Sequence, residues 1–174
     1  MSFEITEIAK IQNKGRLTVS MAPGKKDKKW NRNITRDLLS IRESGIQVIV
    51  CLLQRSELKC LSLSDYPRKA SDAGFIFYHL PIRDRSTPHC DDMNILIPII
   101  IKHLCSGHNV LIHCRSGLGR AGTVAACCLS HFGLTPENCI EIVRFQRPGS
   151  IQTSDQEQFV FKYTSYISSP SRSP

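Results

Sequence analysis

A cysteine and an arginine, Cys114 and Arg120, bracket five residues in the segment HCRSGLGRAG (residues 113–122). An apolar strand pattern (residues 110–113) leads into this segment, and an alanine-rich helical pattern (residues 120–132) follows it. Two of the five bracketed residues are glycines. Such a loop at a helix N-terminus predicts a concave row of backbone N–H groups that suits a tetrahedral dianion such as phosphate.

The positive field of such a loop favours the thiolate of Cys114, which makes this cysteine a candidate nucleophile toward phosphorus. The planar guanidinium of Arg120 would clamp two phosphoryl oxygens. The spacing alone is weak in a chain with eight cysteines, and the alternative is a buried cysteine near a surface arginine. The adjacent His113, the glycines, the strand and the helix favour the catalytic interpretation. The residues expected to hold the phosphoryl group are Arg115, Ser116, Gly117, Leu118, Gly119 and Arg120.

Cleavage of a phosphate monoester also requires a proton for the leaving oxygen. Asp84 is the leading candidate, because it follows the apolar segment FIFYHLPI and begins the turn-rich segment DRSTP. Asp91 and Asp92 are alternatives, although capping of the next helix explains both of them. The flanking Arg83 and Arg85 are expected to stabilise the ionised form of Asp84, and they could contact a second acidic group of a substrate.

Four of these residues, His113, Cys114, Gly117 and Arg120, match HCxxGxxR, the signature of the protein tyrosine phosphatase superfamily. The chain resembles this superfamily over residues 17–167. In size it is similar to the small dual-specificity members, including kinase-associated phosphatase and the phosphatases of regenerating liver. The resemblance implies hydrolysis of phosphotyrosine, phosphoserine and phosphothreonine in proteins through a phosphocysteine intermediate. It also implies a phosphoprotein partner, with a kinase among the candidates, and no metal or organic cofactor.

The same resemblance assigns roles to residues outside the signature. Asp84, with Pro88 a few residues further on, resembles the general-acid loop of the superfamily. The segment RPGSIQTSDQ resembles its glutamine loop, in which Gln152 would orient the attacking water. The alternative is that this segment only begins a helix capped by Thr153. His113 would hold the loop and favour the thiolate, or it is simply a buried histidine with satisfied hydrogen bonds.

Ala121 departs from the usual pattern, because most members of the superfamily have Ser or Thr after the arginine. The phosphatases of regenerating liver also have alanine there, although their prenylated tail is absent here and their pattern lacks this glutamine loop. The missing hydroxyl should slow breakdown of the phosphocysteine by about one or two powers of ten. An alternative to an efficient phosphatase is therefore a slow-turnover binding module that acts through an occupied phosphate pocket.

The chain carries a net charge of +8, and half of it lies in one basic loop (residues 24–32). This loop is either a solvated face or a surface that attracts an anionic partner. Its four lysines are Lys25, Lys26, Lys28 and Lys29. A second hypothesis for the substrate is therefore a phosphoinositide or an RNA 5′-phosphate. Arg115 is the only added cation within the loop that follows Cys114, which argues against a lipid.

Alternating strand and helix patterns indicate how these residues are positioned. The predicted strands cover residues 15–20, 46–53, 75–80 and 110–113, and the predicted helices cover residues 33–43, 65–74, 91–106, 120–132, 136–147 and 153–167. This order predicts an α/β fold, a central mostly parallel sheet flanked by helices on both faces. Pro98 should kink or shorten its helix. Residues 54–64 show no clear pattern.

The length predicts a single domain over residues 1–168, which the resemblance identifies as a dual-specificity phosphatase domain. The composition of residues 169–174 predicts a disordered tail. The longest apolar run, residues 95–101, is interrupted by Pro98 and is too short to span a membrane. No leader or prenylation signal is recognised. Five of the eight cysteines lie in apolar segments, and none has a CxxC partner or metal-ligand spacing. This indicates reduced thiols in a protein of the cytoplasm or the nucleus, and we expect a monomer.

Overall fold

A computed structural model of the chain describes residues 3–11 and 14–169. Five strands form one sheet in the order β1-β2-β5-β3-β4. The strands are β1 (Ile5–Lys10), β2 (Arg16–Ser20), β3 (Val48–Cys51), β4 (Ile76–His79) and β5 (Val110–His113). Strands β2, β5, β3 and β4 run parallel, whereas β1 is antiparallel to β2. The fold class predicted from the sequence, a mostly parallel sheet, is confirmed.

Seven helices connect and cover the strands in the described ranges. They are α1 (Ile34–Glu43), α2 (Arg55–Cys60), α3 (Tyr66–Asp72), α4 (Cys90–Cys105), α5 (Gly119–Ser130), α6 (Pro136–Gln146) and α7 (Ser154–Ser168). Several helix ends follow the local signals in the sequence. Asn33, Thr135 and Thr153 each cap a helix by accepting a hydrogen bond from a backbone N–H group of its first turn. No helix in this part of the chain is long and apolar enough to cross a membrane.

The sheet separates two apolar cores, because successive side chains of a strand point to opposite faces. Val48, Val50 and Ile112 contribute to the core that α4, α5, α6 and α7 cover. Ile49 and Leu111 contribute to the core that α1, α2 and α3 cover. Strands buried on both faces explain the continuous β-branched runs in the sequence.

Local patterns missed two elements. Strand β1 has a register shift between Glu7 and Ala9, which interrupts the period of two, and the strand depends on pairing with β2. Helix α2 is only six residues long and buries Leu58 as its single core residue. Such a short helix depends on tertiary contacts, which local sequence does not reveal.

Two details of the prediction need correction. Helix α4 begins after His89, so Asp91 and Asp92 lie in its first turn and do not cap it. There they still interact favourably with the helix dipole. Pro98 does not shorten this helix, which continues to Cys105. Of the predicted tail, Ser169 follows α7 as its cap, and residues 170–174 lie outside the described residues.

The parallel strands end at one edge of the sheet, and the candidate residues lie just beyond their carboxyl ends. His113 pairs in register with Cys51 on one side and with Ser20 on the other, and Cys51 pairs with His79. Three segments therefore leave this edge beside the Cys–Arg loop (residues 114–120). They are the segment that enters α2, the Asp84 loop (residues 80–89) and the segment that contains the basic loop. Such an edge is where ligands bind in open α/β sheets.

Candidate active site

The Cys–Arg loop encloses the sulfur of Cys114, which is 2% exposed. The backbone N–H of Gly117 donates a hydrogen bond to Cys114 Sγ at 3.3 Å. Gly117 has a φ of +74°, and a Cβ atom there would lie 2.3 Å from the Ser20 carbonyl oxygen. Only glycine fits this position, because both the backbone conformation and the close approach of β2 exclude a side chain.

The backbone amides of the Cys–Arg loop form the predicted cradle. Helix α5 begins at Gly119, one residue before the predicted start. Within the described ranges, no protein acceptor meets the backbone N–H groups of five loop residues: Arg115, Ser116, Leu118, Gly119 and Arg120. Free amides at a helix N-terminus favour an anion in front of them.

Arg120 lies in the wall of this site, with only 1% of its side chain exposed. Its Nη1 donates to Glu57 Oε2 at 2.6 Å and to the Ile82 carbonyl at 2.9 Å, and its Nη2 donates to Glu57 Oε1 at 2.9 Å. The Nε–H of Arg120 is buried and has no partner among the described residues. A buried donor normally has an acceptor, and a phosphoryl oxygen would supply one.

Glu57 is a site residue that the sequence analysis did not identify. It lies in the first turn of α2, and it also accepts a hydrogen bond from the Gln54 backbone N–H at 2.9 Å. Burial raises the pKa of Glu57, but the hydrogen bonds from Arg120 and Gln54 outweigh burial and lower it. Glu57 therefore remains a carboxylate and fixes the guanidinium plane of Arg120.

Asp84 lies at the mouth of the site, where its side chain is 59% exposed. Its Oδ1 is 3.0 Å from Arg120 Nη2. The cation that contacts Asp84 is thus Arg120, whereas the exposed Arg83 and Arg85, predicted to stabilise it, form no ion pair with it among the described residues. Arg85 has a φ of +59°, a left-handed conformation that turns the chain directly after the carboxylate.

His113 is fully buried beneath the loop, and burial lowers its pKa to about 3. Its Nδ1 lies 3.4 Å from the Cys114 carbonyl and its Nε2 lies 3.0 Å from the Tyr66 hydroxyl. A carbonyl can only accept, so the imidazole proton belongs on Nδ1, and Nε2 accepts the Tyr66 proton. His113 is therefore a neutral structural link between α3 and the loop, and its effect on the Cys114 thiolate stays a prediction.

Gln152 lies beside Gly119, the first residue of α5. Its Oε1 would be 2.8 Å from a Cβ atom at Gly119. The Gln152 backbone N–H donates to Gln156 Oε1 at 2.9 Å, and Gln156 Nε2 donates to the Ser86 carbonyl of the Asp84 loop at 3.2 Å. The buried Gln156 thus connects Gln152 with the Asp84 loop. The sequence analysis assigned this glutamine no role at the site.

Arg147, which the sequence analysis treated as a helix end, holds the outer side of the Cys–Arg loop. Its Nε donates to the Gly117 carbonyl at 2.9 Å and its Nη2 to the Ser116 carbonyl at 3.4 Å. Its Nη1 contacts Thr6 and Glu4 of the N-terminal segment. These contacts engage the carbonyls of Ser116 and Gly117 on one side of the loop, and the N–H of Gly117 on the other side faces the Cys114 sulfur.

The basic loop borders the same site. Lys25 is only 5% exposed, and its Nζ donates to the Arg115 carbonyl at 3.3 Å. The predicted anionic surface contact is therefore wrong for Lys25, while Lys26, Lys28 and Lys29 are exposed.

Across residues 3–11 and 14–169, no group of three or more histidine, cysteine or carboxylate side chains is arranged to hold a metal ion.

Comparison with known proteins agrees with this geometry. Residues 28–160 match the family described as PTP-SAK, Swiss Army Knife protein, DSP-PTPase phosphatase domain. The chain is 32% identical to cyclin-dependent kinase inhibitor 3 of Rattus norvegicus over 84% of its own length and 73% of that protein. It is also 32% identical to cyclin-dependent kinase inhibitor 3 of Homo sapiens, over 81% of this chain and 68% of that protein.

Solved structures show the same relationship. The crystal structure of kinase associated phosphatase, with its catalytic cysteine replaced by serine, superimposes with a TM-score of 0.89. The two chains are 27% identical, and the match covers 96% of this chain and 97% of the other. The structure of Tk-PTP in its active form has a TM-score of 0.75 at 26% identity, and the match covers 92% of this chain and 96% of the other. This chain belongs to the dual-specificity phosphatases of the protein tyrosine phosphatase superfamily.

Proposed function

We propose that this phosphatase hydrolyses phosphotyrosine, phosphoserine and phosphothreonine in proteins through a phosphocysteine intermediate at Cys114. The observation that carries this proposal is the unpartnered, buried Nε–H of Arg120 beside a loop of free amides that surrounds the Cys114 sulfur. These donors are fixed before any phosphoryl group arrives. Such preorganisation stabilises the charge that develops on the equatorial oxygens in the transition state.

In the first step, the Cys114 thiolate attacks phosphorus and an S–P bond forms. The bond between phosphorus and the leaving oxygen breaks, and protonated Asp84 gives its proton to that oxygen. Arg120 and the loop amides hold the three remaining oxygens. The neutral His113 takes no part in this proton transfer, because both of its nitrogens are engaged with protein groups.

In the second step, water attacks the phosphocysteine and releases inorganic phosphate and the thiolate. The Asp84 carboxylate takes the proton of the water, and Gln152 orients the water. Ala121 is completely buried and packs in the same apolar cluster as Cys114. Because its side chain is a methyl group, it offers no hydroxyl to the departing sulfur. The N–H of Gly117 is the donor that remains there. We therefore expect the second step to be slower than the first.

The relatives support a protein substrate, since two of them are named as kinase inhibitors and one as a kinase associated phosphatase. A phosphorylated protein kinase is accordingly the first macromolecular substrate to test. The segment between β2 and α1 is only residues 21–33. It is too short to add a high wall around Cys114, which supports access for phosphoserine and phosphothreonine as well as phosphotyrosine.

A substrate panel tests the proposal. Purified protein is given matched phosphotyrosine and phosphothreonine peptides, a short-chain phosphoinositide and RNA with a 5′-triphosphate, and phosphate release is measured. We expect both peptides to be hydrolysed, with kcat/KM values within a thousandfold of each other, and Cys114→Ser to abolish release. Hydrolysis of the lipid or RNA substrate alone would contradict the proposal.

Ala121 also favours a second candidate function, in which a long-lived phosphocysteine or occupied pocket serves binding. Rapid mixing with a good aryl phosphate should then give a burst of alcohol before a slow steady state. Ala121→Ser should raise the steady-state rate and reduce the burst. Linear kinetics, with an unchanged or slower Ala121→Ser variant, would exclude this second function.

A further inference from the structure

The basic loop is held in one conformation beside the Cys–Arg loop. Arg32 donates two hydrogen bonds to Asp37, at 2.8 and 2.7 Å, where the basic loop meets α1. Within the loop, Asp27 Oδ1 accepts hydrogen bonds from the backbone N–H groups of Lys29 and Trp30 at 2.9 and 3.0 Å. These contacts fix the Asp27 carboxylate and leave its Oδ2 directed at neighbouring cations.

Two cations share this oxygen. Asp27 Oδ2 lies 3.9 Å from Lys25 Nζ and 3.9 Å from Arg115 Nη2. Burial raises the pKa of Asp27, but the two backbone N–H groups and the two cations outweigh burial and lower it. Lys25 is anchored by the Arg115 carbonyl and by the face of the Trp30 ring, 5.4 Å away. A charged carboxylate is therefore built into the edge of the Cys–Arg loop.

Arg115 is held far less firmly than Lys25. Its side chain is 45% exposed, and 3.9 Å is too long for a hydrogen bond to Asp27. In the described part of the chain, its guanidinium makes no hydrogen bond, although it carries five N–H donors. Such a group binds a carboxylate or a phosphate through two parallel hydrogen bonds. The exposed Lys26 and Lys28 add positive charge from the neighbouring loop.

We propose that Arg115 is a specificity-determining residue that binds a second anionic group of the substrate, and that Asp27 is the internal anion which this group displaces. The second group is a carboxylate or a phosphate close to the phosphorylated side chain of a protein. This inference rests on the proposed function. A protein segment is favoured over a membrane surface because the cations surround one carboxylate-sized position and Lys25 is buried.

Matched phosphothreonine peptides test the inference. One carries a neighbouring glutamate, one a neighbouring phosphoserine and one a glutamine, and kcat/KM is measured for each at low and high salt. Binding of the same peptides to Cys114→Ser gives a readout that does not require turnover. The variants are Arg115→Gln, Asp27→Asn and, as a charge-matched control, Arg68→Gln on α3, whose exposed side chain pairs with Asp72.

We expect the wild type to prefer the two anionic peptides over the glutamine peptide by about tenfold, the scale of one partly exposed charge-assisted hydrogen bond, and to lose this preference at high salt. Arg115→Gln should abolish the preference in kcat/KM and in binding. Asp27→Asn keeps the acceptor for the loop amides and removes the competing charge, so it should increase the preference severalfold. Arg68→Gln should leave the preference unchanged.

A preference below twofold, or one that survives Arg115→Gln, would overturn the inference while leaving the proposed function intact. Selective binding of a short-chain phosphoinositide through Arg115, with equal binding of all peptides, would also overturn it. Absence of turnover on every peptide would count against the proposed function alone, because the preference in binding to Cys114→Ser would still decide the role of Arg115.

Discussion

Glu57→Gln is the most informative single substitution outside the Cys–Arg loop. It keeps the size of the side chain and removes the charge that faces Arg120. In the wild type, the two side chains form two hydrogen bonds of 2.6 and 2.9 Å, with 1% of Arg120 and 12% of Glu57 exposed. Arg120 would then rely on the Ile82 carbonyl and on the exposed Asp84.

The expected loss of stability can be estimated from this environment. Removal of one partner of a buried ion pair costs about 3–5 kcal/mol. Arg120 keeps two other acceptors and the new amide can still accept one hydrogen bond, so we expect the free energy of unfolding to fall by about 2–3 kcal/mol. Loss of the fixed guanidinium plane should lower kcat/KM by about a hundredfold, equivalent to about 2.7 kcal/mol of transition-state stabilisation.

Urea unfolding and kcat/KM for an aryl phosphate measure the two effects. Glu141→Gln is the matched control, because Glu141 is exposed on α6, and it should change neither value appreciably. The ion pair does not have the role assigned to it if two results are found together. The free energy of unfolding of Glu57→Gln would lie within about 0.5 kcal/mol of the wild-type value, the usual range for surface substitutions, and kcat/KM would stay within about threefold of the wild-type value.

The same pair predicts a dependence of stability on pH. The folded state lowers the pKa of Glu57, so the unfolded state binds a proton first as the pH falls. The contribution of the pair is complete at neutral pH and is lost as the pH falls below about 4, through the lower pKa of the folded state. The difference in unfolding free energy between wild type and Glu57→Gln should therefore shrink on acidification. A difference that grows at low pH would refute the reasoning.

Three further predictions concern the neighbouring residues. Asp84→Ala should lower kcat by about a hundredfold or more for a poor leaving group and much less for a good one; if Asp92→Ala shows this dependence instead, the acid is misassigned. Gln156→Leu should slow both the leaving-group step and phosphocysteine hydrolysis, by about tenfold each. The exposed control Gln158→Leu should slow neither step. Equal effects of the two variants in stopped-flow assays would argue against the link to Ser86. Because burial lowers the pKa of His113 to about 3, its NMR titration should show a neutral ring with the proton on Nδ1 down to about pH 4, and a midpoint near 6.5 would contradict this.

Residues whose roles depend on local sequence could be predicted from the chain alone. Cys114, Gly117 and Arg120 lie within seven positions of one another, and the strand before them and the helix after them have clear patterns. The order of strand, loop and helix around the Cys–Arg loop follows from those patterns. The predicted position of Asp84 at the end of a strand also follows, because parallel strands bring their carboxyl ends to one edge.

Residues whose roles depend on distant partners could not be predicted. Glu57 is 63 positions from Arg120, and Arg147 is 30 positions from Gly117. Lys25 looks like part of a solvated charge run, yet its amine reaches a carbonyl 90 positions away. Gln156 has the spacing of a helix capping box with Thr153, but its side chain bonds to Gln152 and Ser86 instead. In the long-range pairs, from Glu57 with Arg120 to Gln156 with Ser86, the fold brings the partner into place.

Direct detection of the phosphocysteine tests the central claim of covalent catalysis by Cys114. The protein is mixed rapidly with a good aryl phosphate, quenched in acid within the first turnover and analysed by peptide mass spectrometry, with Cys114→Ser as the control. We expect the mass of one phosphoryl group on the peptide that contains Cys114, formed no more slowly than the alcohol is released. Alcohol release without any phosphorylated Cys114, or a phosphoryl group on another residue, would contradict the account.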